Sequence, residues 1–131
     1  MGALAINPTI NYQLLKEFQA CFQKDLNELI ELYLNDAKKK LANLHKALET
    51  KNLSLFSSSA KELRLRSLDI GAVQFSHTCL SLELAIQEMR LECISEFVFA
   101  LEKQFEDIEV ELLEIKSKNP SRSAALNQMM Y

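Results

Sequence analysis

The chain has 131 residues, about the length of one domain, and 48% of them are hydrophobic, which is enough for a single core. Only two Gly and two Pro occur, so helices are favoured over a sheet with many turns. A net charge of −3 gives no electrostatic case for nucleic acid, and no apolar run approaches the roughly 20 residues that span a bilayer.

The cysteines and the N-terminus indicate in which cellular compartment the protein resides. Cys21, Cys79 and Cys93 are odd in number and lack the spacing of a metal site. The N-terminus has no charged start before an apolar core, so it shows no signal peptide. We therefore expect three reduced thiols in a cytoplasmic protein with no metal and no cofactor.

The first two helices are predicted from apolar spacing and from their end signals. A polar cap beside a proline, Asn7-Pro8-Thr9, starts a short helix that runs to about residue 20 and caps the bundle. The second helix begins at Leu26 and ends at Thr50-Lys51-Asn52. Its apolar positions recur mostly every three and four residues: Leu26, Leu29, Ile30, Tyr33, Ala37, Leu41, Leu44 and Leu48.

Three more helices follow the same periodicity. The third begins near Leu53 and ends at Gly71, which supplies the positive φ that a helix C-terminus prefers. The fourth carries its stripe to Met89, and Arg90-Leu91-Glu92 connects it to the fifth. The predicted stripes are Phe56, Ala60, Leu63, Ser67 and Ile70; Phe75, Cys79, Leu82, Ile86 and Met89; and Ile94, Phe97, Val98, Leu101, Phe105, Ile108, Leu112 and Ile115.

Helices two to five, joined by short loops, predict an all-α, up-down-up-down four-helix bundle with an additional short N-terminal helix. This bundle occupies residues 1–116, and residues 117–131, where the apolar pattern stops, are predicted to be a flexible tail. The sequence shows no internal repeat and no domain boundary.

The third helix carries a second set of residues beside its apolar stripe. About a third of a turn away lie Ser57, Lys61, Arg64, Leu65 and Leu68. The two leucines either extend the core or form an exposed patch of the kind that marks a binding site. The periodicity leaves both interpretations open.

The segment from Ala60 to Glu83 resembles the signature of histidine-containing phosphotransfer (HPt) domains. That signature is Ala-His-x-Leu-Lys-Gly-Ser-Ser, then Gly-Ala, then Cys-x-x-Leu-Glu. The registers match without a gap at Ala60, Leu63, Gly71, Ala72, Cys79, Leu82 and Glu83. The resemblance covers roughly residues 10–116 and includes the second-helix stretch 29–36. Lys61 stands where the family has its phosphorylated histidine, and Leu65 stands where it has a glycine.

The resemblance implies the family's fold and partner but not its chemistry. A protonated lysine has no free lone pair to take up phosphate, and Leu65 fills the room that the glycine leaves for a receiver domain. Arg64 keeps the basic residue that helps to hold phosphate, and Glu83 is expected to pair with Lys61. The expected partner is a receiver domain or a hybrid histidine kinase. The surface that binds it is predicted to comprise Lys61, Arg64, Leu65, Leu68 and Glu83.

The predicted function is therefore that of a pseudo-HPt signalling protein, a competitor or adaptor that is not an enzyme and that binds neither membrane nor nucleic acid. Two alternatives stay open. One is an active phosphotransfer protein that uses His77 or His45 as phosphoacceptor. The other is a helical scaffold or homodimer with Leu65 and Leu68 in its interface. Di-iron and Cys-His sites are disfavoured because neither histidine follows a Glu by three residues, and because Cys79 and His77 do not face each other.

Overall fold

The computed structural model describes residues 9–22 and 25–119 of the chain. Within these ranges the secondary structure is helical, with no strand. The helices are α1 (Tyr12–Phe22), α2 (Leu26–Thr50), α3 (Leu53–Asp69), α4 (Val73–Gln87) and α5 (Leu91–Lys118). None of the described helices combines the length and the apolarity that crossing a bilayer requires.

The helices α2 to α5 form a closed bundle. Both α2 and α4 pack against α3 and α5, so the four helices follow one another around a common core. Tyr33 lies opposite Ser67 and Lys40 lies opposite Glu62, which shows that α2 and α3 run in opposite directions. The predicted up-down-up-down bundle with an additional N-terminal helix is confirmed.

The core takes its largest side chains from the predicted stripes. Ile30, Leu63, Leu82 and Leu101, one from each main helix, have no exposed surface. The helix α1 adds Leu15, which is also fully buried, and it packs against α3. Spacings of three and four residues place these side chains on one face of each helix, so apolar burial holds the bundle together.

The start of α1 differs from the prediction. The helix begins at Tyr12, because the Asn11 side chain accepts a hydrogen bond from the Leu14 N–H at 3.1 Å and so caps the first turn. Thr9 is not a cap. Its backbone N–H and its hydroxyl both donate to the Glu111 carboxylate on α5. The other two residues of the predicted start, Asn7 and Pro8, lie outside the described residues.

The connection between α4 and α5 has the predicted length of three residues but lies two residues earlier, at Glu88, Met89 and Arg90. Met89 adopts a left-handed conformation with φ 57°, which reverses the chain directly after α4. Met89 is therefore 56% exposed and not part of the apolar stripe, and Leu91 and Glu92 already belong to α5. At its other end α5 continues to Lys118, two residues past the predicted boundary, while residues 120–131 of the predicted tail lie outside the described residues.

Gly71 joins the N-terminal segment to the turn between α3 and α4. Its carbonyl accepts a hydrogen bond from the Asn11 N–H at 2.7 Å, and its φ is +91°. A Cβ at this position would lie 2.5 Å from the Asn11 carbonyl oxygen. Both the conformation and the close approach therefore require glycine here.

We expect Gly71→Ala to lower the free energy of unfolding by about 1–3 kcal/mol, because the substitution combines a positive φ with a backbone clash. The matched control is Lys51→Gly. Lys51 also has a positive φ, 55°, but its side chain is exposed, so the control should be neutral or stabilising. Chemical denaturation measures both. A neutral Gly71→Ala would show that the N-terminal segment does not pack on this turn.

Truncating the core has a larger predicted effect. Leu63→Ala and Leu82→Ala should each cost about 2–5 kcal/mol of stability, because each leaves a cavity among fully buried neighbours. Leu84→Ala serves as the control, since Leu84 lies on α4 but is 48% exposed. Urea titrations followed by circular dichroism give the three values. Near-neutral results at both buried leucines would contradict this packing.

Candidate functional site

The outward side of α3 presents Lys61, Arg64, Leu65 and Leu68, which we call the Lys61 face. Lys61 is exposed, and Leu65 and Leu68 are each 44% exposed. The buried stripe of α3 occupies the opposite side of the helix. Of the two interpretations that the sequence leaves open for the leucines, the structure thus favours the exposed patch.

Arg64 bridges α3 and α4. Its Nε donates to Glu83 Oε2, and its Nη2 donates to Glu83 Oε1 at 3.2 Å, so the guanidinium and the carboxylate form a two-point ion pair. The Glu83 hydrogen bond raises the pKa of Arg64 above its usual value. Only 26% of the Arg64 side chain and 18% of the Glu83 side chain are exposed, so the pair lies in the seam between the helices.

This pairing corrects the expectation that Glu83 contacts Lys61. Lys61 precedes Arg64 by three residues, which places it about 60° further around α3. Arg64 thereby faces α4, while Lys61 faces away from the bundle and forms no hydrogen bond or ion pair with the described residues. The ammonium of Lys61 is consequently available to a partner, whereas the charge of Arg64 is already matched within the chain.

Two buried polar groups lie under this part of the bundle. The Tyr33 hydroxyl and Ser67 Oγ are 2.7 Å apart and link α2 to α3. Burial raises the pKa of Tyr33 well above its usual value. Burial, together with the Glu83 carboxylate, raises the pKa of the Cys79 thiol to about 12. Cys79 is therefore a protonated core residue at neutral pH and is poorly suited to act as a nucleophile.

The two histidines lie away from the Lys61 face. His45, on α2, contacts Glu102 on α5. His77 is exposed on α4 and lines a groove of about 690 Å³ with the segment 9–12 and the end of α5. Because Arg64 lies opposite Glu83 and the two helices are antiparallel, Lys61 lies at the level of Ile86 on α4. His77 is nine residues from Ile86, which corresponds to about 13 Å along the helix.

An exposed leucine on α2, Leu32, was missing from the predicted site. Leu32 is 52% exposed and lines a groove of about 350 Å³ between α1, α2 and α3. Arg66 and Asp69 of α3 also line this groove. The signal was available in the sequence, because Leu32 falls outside the three-and-four spacing of the buried stripe of α2, as Leu65 does on α3.

Solved structures share this arrangement of helices. The HPt protein HptB of Pseudomonas aeruginosa PAO1 superposes with a TM-score of 0.80 at 18% identity, over 86% of this chain and 98% of that one. The HPt protein ZmHP2 from maize gives a TM-score of 0.72 at 14% identity, over 88% of this chain and 95% of that one.

The chain has the fold of HPt proteins. Identities this low establish the fold and nothing further about the site. No protein-family profile matches the sequence, and no curated protein matches it either. The assignment of the Lys61 face therefore depends on its own geometry.

The ion pair generates a prediction that separates the observed partner of Glu83 from the expected one. A double-mutant cycle of Arg64→Met with Glu83→Gln should give a coupling energy of about 0.5–1 kcal/mol, because both oxygens of the carboxylate are engaged. The same cycle of Lys61→Met with Glu83→Gln should give a coupling near zero. Denaturation midpoints supply the energies. A stronger coupling of Glu83 to Lys61 than to Arg64 would show that Lys61, and not Arg64, is the ion-pair partner of Glu83.

Proposed function

We propose that this chain binds the receiver domain of a two-component phosphorelay, either free or within a hybrid kinase, and does not itself carry phosphate. It acts as a competitor of phosphotransfer proteins or as an adaptor, and it is not an enzyme. The observation that carries the proposal is the side chain at the start of the Lys61 face. An exposed, unpaired lysine lies there, one turn before the exposed Leu65 and two turns before the exposed Leu68, on a bundle with the HPt fold.

The chemistry of the face supports binding without transfer. Phosphotransfer needs an imidazole nitrogen that attacks an aspartyl phosphate, and neither histidine of the chain lies on this face. The Lys61 ammonium has no lone pair for that attack while it is protonated. It does have three donors and a positive charge, which suit the cluster of aspartates around a receiver's phosphorylation site.

The leucines supply the apolar part of the contact. Leu65 and Leu68 are one turn apart on α3, and Leu32 is exposed on α2, in the groove between α1, α2 and α3. Together they suit the apolar first helix of a receiver domain, which we expect to pack along α3. In this arrangement the apolar contact provides affinity, and Lys61 provides orientation and the rate of encounter.

The test is a binding titration against each isolated receiver domain of the source organism. Leu65→Ala should weaken binding about thirtyfold, as expected for a packed anchor, and Lys61→Glu should weaken it at least tenfold. The matched controls lie on other surfaces: Leu113→Ala on α5, where Leu113 is 46% exposed, and Lys46→Glu on α2. Thermal melts verify that each variant is folded.

The result that contradicts the proposal is equally specific. If no receiver domain binds the wild type, the chain does not have this function. If a receiver binds but neither Leu65→Ala nor Lys61→Glu changes its affinity, the partner docks elsewhere and the Lys61 face is not the binding surface.

A further inference from the structure

The groove between α1, α2 and α3 combines a buried apolar floor with an exposed leucine. Its volume is about 350 Å³. Leu29, Tyr33 and Ile70 line it and are buried, whereas Leu32, which also lines it, is 52% exposed. An exposed leucine beside a concave apolar floor gains from being covered, so the groove is a candidate docking site.

The described part of the chain ends beside the same helix. The Asn27 side-chain amide donates to the Asn119 carbonyl at 2.7 Å, and the Asn119 side chain donates to Asn27 Oδ1 at 3.3 Å. Asn27 lies in the first turn of α2, five residues before Leu32. Residues 120–131 therefore start from a point on α2 that these hydrogen bonds define, close to the level of the groove.

The path from Asn119 to the groove is short. At about 100° and 1.5 Å per residue, Leu32 lies about 140° around α2 from Asn27 and about 7 Å along it. A chain that passes over the outward side of α2, about 8 Å from the helix axis, covers roughly 20 Å, or about six extended residues. Residues 120–125 span this distance, and the apolar residues of the segment come next: Leu126, Met129 and Met130.

The charges along this path are complementary. Glu28 lies on the outward side of α2, about 100° around the helix from Asn27. It is exposed and forms no hydrogen bond or ion pair with the described residues. Within residues 120–131 only Arg122 has a charged side chain, and it lies about 10 Å along the segment, within reach of Glu28. Residues 126–131 are uncharged and so can enter an apolar groove without burying a charge.

We infer that residues 120–131 of this chain occupy the groove, with Leu126 against Leu32 and Arg122 beside Glu28. A tether of about six residues holds such a segment at an effective concentration on the order of 1 mM. A separate partner of equal affinity would have to reach that concentration to displace it. The length of the tether and its single charge therefore select this segment as the occupant.

The contact has a regulatory consequence, which rests on the proposed function. Leu32 also belongs to the surface proposed for the receiver domain, so the segment and a receiver compete for it. A segment that is docked in about nine of ten molecules lowers the apparent affinity for the receiver about tenfold. The segment thus makes an autoinhibitory contact.

The experiment uses the full chain, which contains no tryptophan. Leu126→Trp introduces a single apolar reporter at the position expected in the groove, and acrylamide quenching of its fluorescence measures its burial. The quenching constant should be at least about threefold lower than in the same chain unfolded in urea. It should not change between about 1 and 100 µM protein, because a tethered segment docks within its own molecule.

Substitutions on the groove and on the path locate the contact. Leu32→Glu should raise the quenching constant of the reporter to the unfolded level, because it places a charge against the segment. Leu113→Glu on α5 is the matched control, since Leu113 is 46% exposed, and it should have no effect. Arg122→Glu should raise the constant about twofold, and adding Glu28→Arg should reverse this increase. If Leu32→Glu loses its helical circular dichroism, Leu32→Gln replaces it.

The outcomes separate docking from competition. A reporter that is quenched as readily as in urea overturns the inference. So does protection that persists in Leu32→Glu or that increases with protein concentration, because the segment then docks on another surface or on another molecule. Leu126→Asp should bind a receiver about tenfold more tightly than the wild type, and an unchanged affinity overturns the autoinhibitory contact. If no receiver binds at all, the proposed function fails, while the quenching result still decides whether the segment docks.

Discussion

The ion pair between Arg64 and Glu83 determines what both exposed surfaces of α3 and α4 present to a partner. It joins the two antiparallel helices through two hydrogen bonds. It also removes one cation from the outward side of α3 and neutralises the carboxylate of α4. What remains on the outward side of α3 is Lys61, which has no ion-pair partner among the described residues, beside an α4 surface without net charge. The proposed receiver site follows from that division.

The sequence predicted the bundle because burial imposes a period that is visible in the chain. Ile30, Leu63 and Leu101 fall on stripes with spacings of three and four residues, and all are buried. Helix ends were predicted less well, because they depend on a choice between competing signals. Asn11, not Thr9, caps α1. The helix α4 ends at Gln87, two residues before the end of its apolar pattern, because Met89 adopts a left-handed conformation.

The geometry of the candidate site could be predicted in part. The position of Leu65 and Leu68 off the stripe allowed either burial or exposure, and the structure shows both exposed, as it does Leu32, Leu80 and Leu84. The partner of Glu83 could not be predicted from spacing, since Lys61 and Arg64 are one turn apart and both reach toward α4 in an idealised helix. The actual choice depends on the packing angle of the two helices, which the sequence alone does not give. Proteins that share a fold at 14–18% identity share the arrangement of their core but can differ in the ion pairs on their surface.

The measurement that tests the central claim most directly is transfer of phosphate from a receiver domain. The wild-type chain and His77→Ala are incubated with a receiver that carries radiolabelled aspartyl phosphate, beside an active HPt protein as positive control. Our account predicts no acid-labile label on either form of the chain, because Lys61 cannot accept the group and His77 lies at another level of the bundle. Label on the wild type that disappears in His77→Ala would contradict the account and identify an active phosphotransfer protein.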